Sequence, residues 1–188
     1  MSTDNTVTNV AAGKPRIVGG VYMAPAGTAL PTDATTALAS AFKPLGYVSA
    51  DGVKNNNTLN GKEVRAWGGD IVYVGSEGRT DEWKMKLLEV LNENVLKLVN
   101  GDDNVTGSIA TALSVSVNNA DLPTHVFAID MILRGTLKRV VIPVGKLKDI
   151  SEIAYTDSDP VGYEVTIDAL TDSSGNSHYE YFGVQSTT

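Results

Sequence analysis

"LGYVSADGVKNNNTLNGKEVRAWGGD", residues 45–70, is the stretch on which the reading of the chain turns. Its ends, "LGYVSADG" and "KEVRAWGG", have strand-like composition, and "VKNNNTLNG" between them is polar and turn-forming. Strand, polar tip and strand make a ribbon. Either the tip is a long surface loop, or it reaches for another molecule, and the flanking sequence has to decide between these.

Downstream the strands come quickly. "DIVYVG" is one strand, "SEG" a turn, and "RTDEWKMKLLEV" alternates Trp83, Met85 and Leu87 against Glu82, Lys84 and Lys86, a period of two. "NENVLKLVNGDD" then changes period: Asn92 caps, Val95, Leu96 and Val99 form a stripe, and Gly101 ends the helix. "SIATALSVSV" places Ile109, Thr111, Leu113, Val115 and Val117 on one strand face. "HVFAIDMILRG" buries Phe127, Ile129, Met131 and Leu133 and turns Asp130 and Arg134 the other way, and "TLKRVVIPVG" returns as its hairpin partner after Gly135. In "PVGYEVTIDAL", Val161, Tyr163, Val165 and Ile167 oppose Glu164, Thr166 and Asp168. Upstream, "RIVGGVYMA" is β-rich, and "TDATTALASAFKPLG" predicts a short helix from Asp33 to Phe42 stopped by Pro44. The fold class is mainly β: an antiparallel β-sandwich or partly closed barrel with one or two short flanking helices, an extended hairpin and an N-terminal arm. Residues 1–16 read as the arm, 17–183 as a single domain containing the hairpin at 51–66, and 184–188 as a tail.

The bulk properties remove several functions. The chain has 188 residues and no cysteine, which excludes disulfides, thiolate metal sites and cysteine nucleophiles. No apolar run approaches the roughly 18 residues that cross a bilayer, and the N-terminus lacks a signal pattern, so synthesis in a cytoplasm and no membrane binding are expected. The net charge of -7 is unevenly placed. Arg134, Lys138, Arg139, Lys146 and Lys148 form a basic block, and eight acidic residues follow Lys148 with no Lys or Arg among them. Such blocks pair within a domain or between copies of it, and an acidic surface repels nucleic acid.

No catalytic constellation emerges. His125 and His178 stand in no metal-ligand spacing, and there is no G-x-S-x-G elbow. Glu164 and Asp168 share a strand face but lie roughly 13 Å apart by strand rise, too far for either glycosidase geometry. "GDDNVTG" and "TDSDPVG" gather oxygen ligands without EF-hand spacing and read as Asx turns. No catalytic residue, metal or cofactor is expected. A ribbon, an arm, opposite charge blocks and strands with small outer faces all leave edges unpartnered, which self-association resolves.

"GKPRIVGGVYMAPAGTALPTDATTAL", "LGYVSADGV", "AWGGDIV", "VNGDDNVTG", "IDMILRGTLKRVVIP" and "VGYEVTIDALTDSSGNSHYEYF", in this order from Lys14 to Phe182, together resemble the major tail tube proteins of long-tailed bacteriophages, of the type found with actinobacterial hosts. The resemblance implies a structural virion protein, not an enzyme, made in the host cytoplasm and incorporated in the virion tail. Its partners would be itself, in hexameric rings stacked into a tube, with tape-measure, tail tip and tail terminator proteins; genomic DNA would pass through the lumen without specific binding. The inter-ring hairpin would fall on Lys54, Asn55, Asn56, Asn57, Thr58, Leu59, Asn60 and Lys62. An acidic row of Glu164, Thr166 and Asp168, joined by Asp130, is the candidate lumen face, and Arg134, Lys138 and Arg139 are the candidate subunit interface. The sequence stops near residue 188 without the immunoglobulin-like extension of some relatives, so surface decoration is not expected. The alternatives are the inner tube of a contractile tail or injection system and a soluble β-sandwich ligand-binding module. Against the module, Trp67 and Trp83 fall in strand patterns that bury them or place them at joints.

Overall fold

The computed structural model describes residues 9–17 and 19–184. Along the chain run β1 (Gly13–Pro15), β2 (Val21–Pro25), β3 (Lys43–Pro44), β4 (Lys54–Arg65), β5 (Ile71–Leu87), α1 (Glu93–Asn100), β6 (Val105–Ser108), β7 (Ala112–Val115), β8 (Thr124–Leu133), β9 (Thr136–Ile150), β10 (Tyr163–Leu170) and β11 (Tyr179–Val184). Among the described residues, nine strands form one antiparallel sheet in the order β3-β2-β8-β9-β10-β5-β4, with β1 beside β8 and β11 beside β9. Residues 43–49 bring the two sides of this sheet together. Leu45 N–H donates to Val21 O at 3.0 Å, while Ser49 N–H donates to Lys86 O and Leu88 N–H to Tyr47 O, both at 2.9 Å. The sheet thus closes on itself through β2, residues 43–49 and β5, which removes two open edges.

Alternation in the strands fills the space inside. Met23, Phe127, Ile129, Val140, Ile142, Val165, Ile167, Trp83, Met85 and Leu87 pack with Val95, Leu98 and Val99 of α1. The helix forms where its period predicts. Asn92 Oδ1 accepts from Asn94 N–H at 3.0 Å, and Gly101, at φ 97°, ends it as its N–H reaches Lys97 O. Asn92→Ala is expected to cost about 1 kcal/mol, seen as a lower urea midpoint with an unchanged slope.

β8 is buried on both sides, which its alternation does not announce. Val126 and Ala128, on the face opposite Phe127, pack with Ala24, Phe42 and Val141 beneath Leu30 and Leu38 of the segment 26–42. This segment corrects the expected helix from Asp33 to Phe42: it is an irregular cover without helical turns. Asp33 Oδ1 does act as a cap, accepting from the N–H groups of Thr35 and Thr36, each at 2.6 Å. The carbonyls that a helix would use are taken elsewhere. Arg139 Nη1 donates to Asp33 O (3.0 Å) and Thr36 O (2.9 Å), and Arg16 Nη1 to Ala34 O (3.0 Å). Two arginines from outside the segment overrule its alanine-rich propensity.

Two further expectations shift. "SIATALSVSV" is not one strand: β6 and β7 are a separate two-stranded hairpin, with Ile109 exposed in the turn between them. Within β6, Gly107 stands at φ 85°, where a Cβ would lie 1.9 Å from Ala112 O. "SEG" is not a turn either. β5 runs unbroken from Ile71 to Leu87, and the register slip between Asn60↔Gly78 and Gly61↔Ser76 makes Glu77 a bulge residue.

Candidate functional site

The ribbon exists, but displaced along the sequence. "LGYVSADG" closes the barrel, and the ribbon is β4 against β5, with its turn at residues 66–70. The asparagines therefore lie in a strand and not at the tip. β10 pairs with β5 only from Glu82 to Leu87. From Asp81 back to Ile71, β5 is paired with β4 alone, so the ribbon projects on the order of 35 Å from the barrel. The other edge of β4 has no strand partner among the described residues.

A two-stranded ribbon is marginally stable in water, and the Asn-rich run answers this with polar braces. Asn55 Nδ2 donates to Asp81 Oδ1 (2.7 Å), Asn56 Nδ2 to Glu82 Oε2 (3.3 Å) and Asn60 Nδ2 to Thr80 Oγ1 (2.9 Å), while Thr58 Oγ1 donates to Asn56 Oδ1 (3.0 Å). Further out, Lys62 pairs with Glu77 at 3.4 Å and Arg65 with Glu63 at 2.9 Å. Leu59 is exposed, with Arg79 opposite it.

The root of the ribbon is tied to the barrel at Asp81. This buried carboxylate accepts from Asn55, from Ser177 Oγ at 2.6 Å and from His178 Nδ1, whose ring stands edge-on to buried Trp83 at 5.3 Å. Burial pushes the Asp81 acid up, but the hydrogen bonds from Ser177, His178 and Asn55 outweigh it and hold the group below its ordinary value. A depressed carboxylate stabilises the fold fully above the unfolded pKa, near 4, and that contribution is lost as pH falls through the lower folded value. Asp81→Asn should therefore flatten the fall in stability below about pH 4, measured as urea midpoints against pH for both proteins.

The distal half of the ribbon has a different character. Trp67 at the turn is fully exposed, and Val64, Ile71, Val72, Tyr73 and Val74 are all exposed apolar residues. Trp67 thus departs from its expected strand setting: it caps the ribbon in open solvent. Tyr73 lies over Gly75, where a Cβ would sit 2.5 Å from the ring. Exposed apolar residues this concentrated mark an interaction site. The run β-branched, aromatic, β-branched in "IVYV" carried this signal in the sequence, where it reads equally as a buried strand.

The predicted lumen row is partly assembled. Glu164, Thr166 and Asp168 share the face of β10 opposite Val165, Ile167 and Ala169. Their neighbours make the face mixed in sign. Register places Lys86, Lys84 and Glu82 opposite them on β5, and Asp149 and Lys146 on β9. Lys84 pairs with Glu164, Lys148 with Glu82, and Lys146 with Asp121. Lys84 lowers the Glu164 acid and is itself raised by it.

Asp130 does not join this row. It is 6 % exposed and Arg139 is 2 % exposed, and Arg139 Nε and Nη2 hold the two carboxylate oxygens of Asp130 at 2.7 and 2.8 Å. This corrects two expectations for the single chain: Asp130 does not stand on the face of Glu164, Thr166 and Asp168, and Arg139 does not reach the surface, because the segment 26–42 covers both. Lys138 has its partner within the chain, Glu180 at 2.7 Å, with its ammonium 5.3 Å from the Phe182 ring centre. Arg134 lies in the β8–β9 turn at φ 50° followed by Gly135 at φ 91°, and its Nη1 donates to Val10 O at 3.3 Å.

The family model described as Phage tail tube protein matches residues 2–185. The chain belongs to the phage tail tube protein family. No curated protein matches it. Tail tube proteins are structural, not enzymatic, components of the virion tail. No group of metal-ligating side chains occurs among the described residues, and no helix there is long and apolar enough to cross a membrane. His125 is buried in β8 with Asp102 at 3.4 Å, and His178 secures the ribbon root.

Proposed function

We propose that this tail tube protein polymerises as stacked hexameric rings, each subunit reaching the next ring with the β4–β5 ribbon, and that the tube is a conduit for genome ejection. The supporting observation is the ribbon itself: a braced projection beyond its own barrel whose far half presents Trp67, Val72, Tyr73 and Val74 to solvent. A monomer gains nothing from such a surface, whereas a stack buries it. The residues expected to carry the inter-ring contact, Lys54 to Lys62, take the role of bracing the ribbon, and the contact moves outward to its far half.

The face bearing Glu164, Thr166 and Asp168 is the lumen candidate. Three of its four lysines, Lys84, Lys146 and Lys148, are matched by carboxylates in place, so a passing polyanion meets little net positive charge and is not retained. Arg134 remains a candidate for the joint within a ring. Tape-measure, tip and terminator proteins complete the tail in this reading, and DNA binds nowhere specifically.

Negative-stain class averages of the purified protein test the ring. Six-fold particles, alone or stacked, are expected; a population that stays monomeric at high concentration, also when seeded with tail tips, contradicts the reading.

A further inference from the structure

We propose that the far half of the ribbon is clasped between two copies of the chain, one against each of its faces, and is not laid on the surface of a single neighbour. This rests on the tube reading above. Successive residues of a strand point to opposite faces, and the pairing Val64↔Tyr73 and Glu63↔Val74 fixes which residues go together. Val64 and Tyr73 form one face; Leu59 and Val74 lie on the other, joined by Ile71 because the register slips at Val72 and sets Arg65 opposite Ile71, and all five are exposed. A ribbon that docks by one face is expected to alternate apolar and polar residues, as β10 does, because the outer face stays wet. The near half shows what a wet ribbon looks like in this protein: from Asn56 to Thr58, paired with Glu82 to Thr80, neither face carries an apolar residue. The far half is apolar on both faces, so contact with one surface would leave the other apolar face in water in the finished assembly.

The occupants follow from composition and number. Lys62 is matched by Glu77 and Arg65 by Glu63 within the ribbon, so beyond Arg79 the ribbon offers no unmatched cation to draw a nucleic acid or a strongly acidic partner. Apolar surfaces on both sides call for apolar surfaces on both sides of the gap that receives them. In a tube built from one repeated chain, a gap with two walls is the groove between two adjacent copies.

The chain has no cysteine. Photo-crosslinking p-benzoylphenylalanine is placed at Tyr73 in one protein, at Val74 in a second, and at both in a third, and each is assembled, checked for tubes by electron microscopy and irradiated. Both single probes should crosslink in tubes and not in monomers, attach to different segments of the chain, and give covalent trimers when combined. Tubes in which only one probe reacts, or in which both attach to the same segment, overturn the clasp while leaving the tube intact. Absence of assembly from every variant and from the parent protein overturns the tube reading and the clasp together. As a second measure, Val64→Lys and Val74→Lys should each lower tube yield at least tenfold with monomer unfolding unchanged; full yield from either one overturns the clasp.

Discussion

Arg139→Met lowers the unfolding free energy by about 3–5 kcal/mol, the usual cost of removing one partner from a buried ion pair. Four hydrogen bonds from one guanidinium are lost: two to Asp130, one to Asp33 O and one to Thr36 O. Methionine fills much of the space, so the cost is electrostatic and not a cavity. Asp130 is left buried with Arg16 Nη1, 3.9 Å away, as its nearest cation. The cover 26–42 loses its anchor at the same time, which exposes Val126, Ala128 and Val141. A total stability of some 5–15 kcal/mol is normal for a domain, so the variant sits close to unfolding. Arg139→Lys does not rescue it, since a point charge cannot hold a carboxylate fork and two carbonyls together. Asp130→Leu combined with Arg139→Met recovers part of the loss, because no lone charge remains buried. Urea titrations of the three variants check this; a loss under 1 kcal/mol for Arg139→Met would show that the pair does not anchor the cover.

Replacing Gly61–Glu77 by a two-residue Asn-Gly turn between the paired Asn60 and Gly78 abolishes tubes and leaves the barrel unchanged. The excised segment carries Trp67, Val72, Tyr73 and Val74 but no member of either buried cluster. Asn-Gly suits a tight antiparallel turn, and the braces from Asn55, Asn56 and Asn60 stay in place. Thermal unfolding of the monomer should therefore match the parent within about 2 °C, a shift worth well under 1 kcal/mol for a chain of this size. Tube yield should fall by more than tenfold. Deleting residues 54–61 instead would be a poor test, because it also removes Asn55 from the Asp81 junction and disturbs the barrel. A marked loss of stability in the truncated protein would mean that the far ribbon packs on its own subunit.

Hydrophobic period was enough to find α1, β8, β10, the barrel half of β5 and the first part of β9, since each buries residues spaced as its geometry demands. Hidden from the sequence were effects that arise only when distant segments meet. The segment from Asp33 to Phe42 looks helical until Arg139 and Arg16 claim its carbonyls. Asp130 alternates outward as a lumen residue should, and only the cover 26–42 makes that outward face a second interior. "SEG" is indistinguishable locally from a turn, and becomes a bulge because β4 continues on the other side of it. The ribbon was legible as a ribbon, but its tip was misplaced: three asparagines suggest a loop, whereas here they brace a strand against Asp81, Glu82 and Thr80. Residues 1–8 of the expected arm and 185–188 of the tail lie outside the described residues.

Hydrogen exchange followed by mass spectrometry, on monomer and on tubes of the same protein, tests whether the ribbon joins the rings. Amides of residues 59–74 exchange readily in the monomer, where β4 and β5 are held only by each other. On assembly those amides should slow by at least a hundredfold, more than any in the barrel strands β8 and β9. Tubes in which residues 59–74 exchange as fast as in the monomer would show that the ribbon does not join the rings.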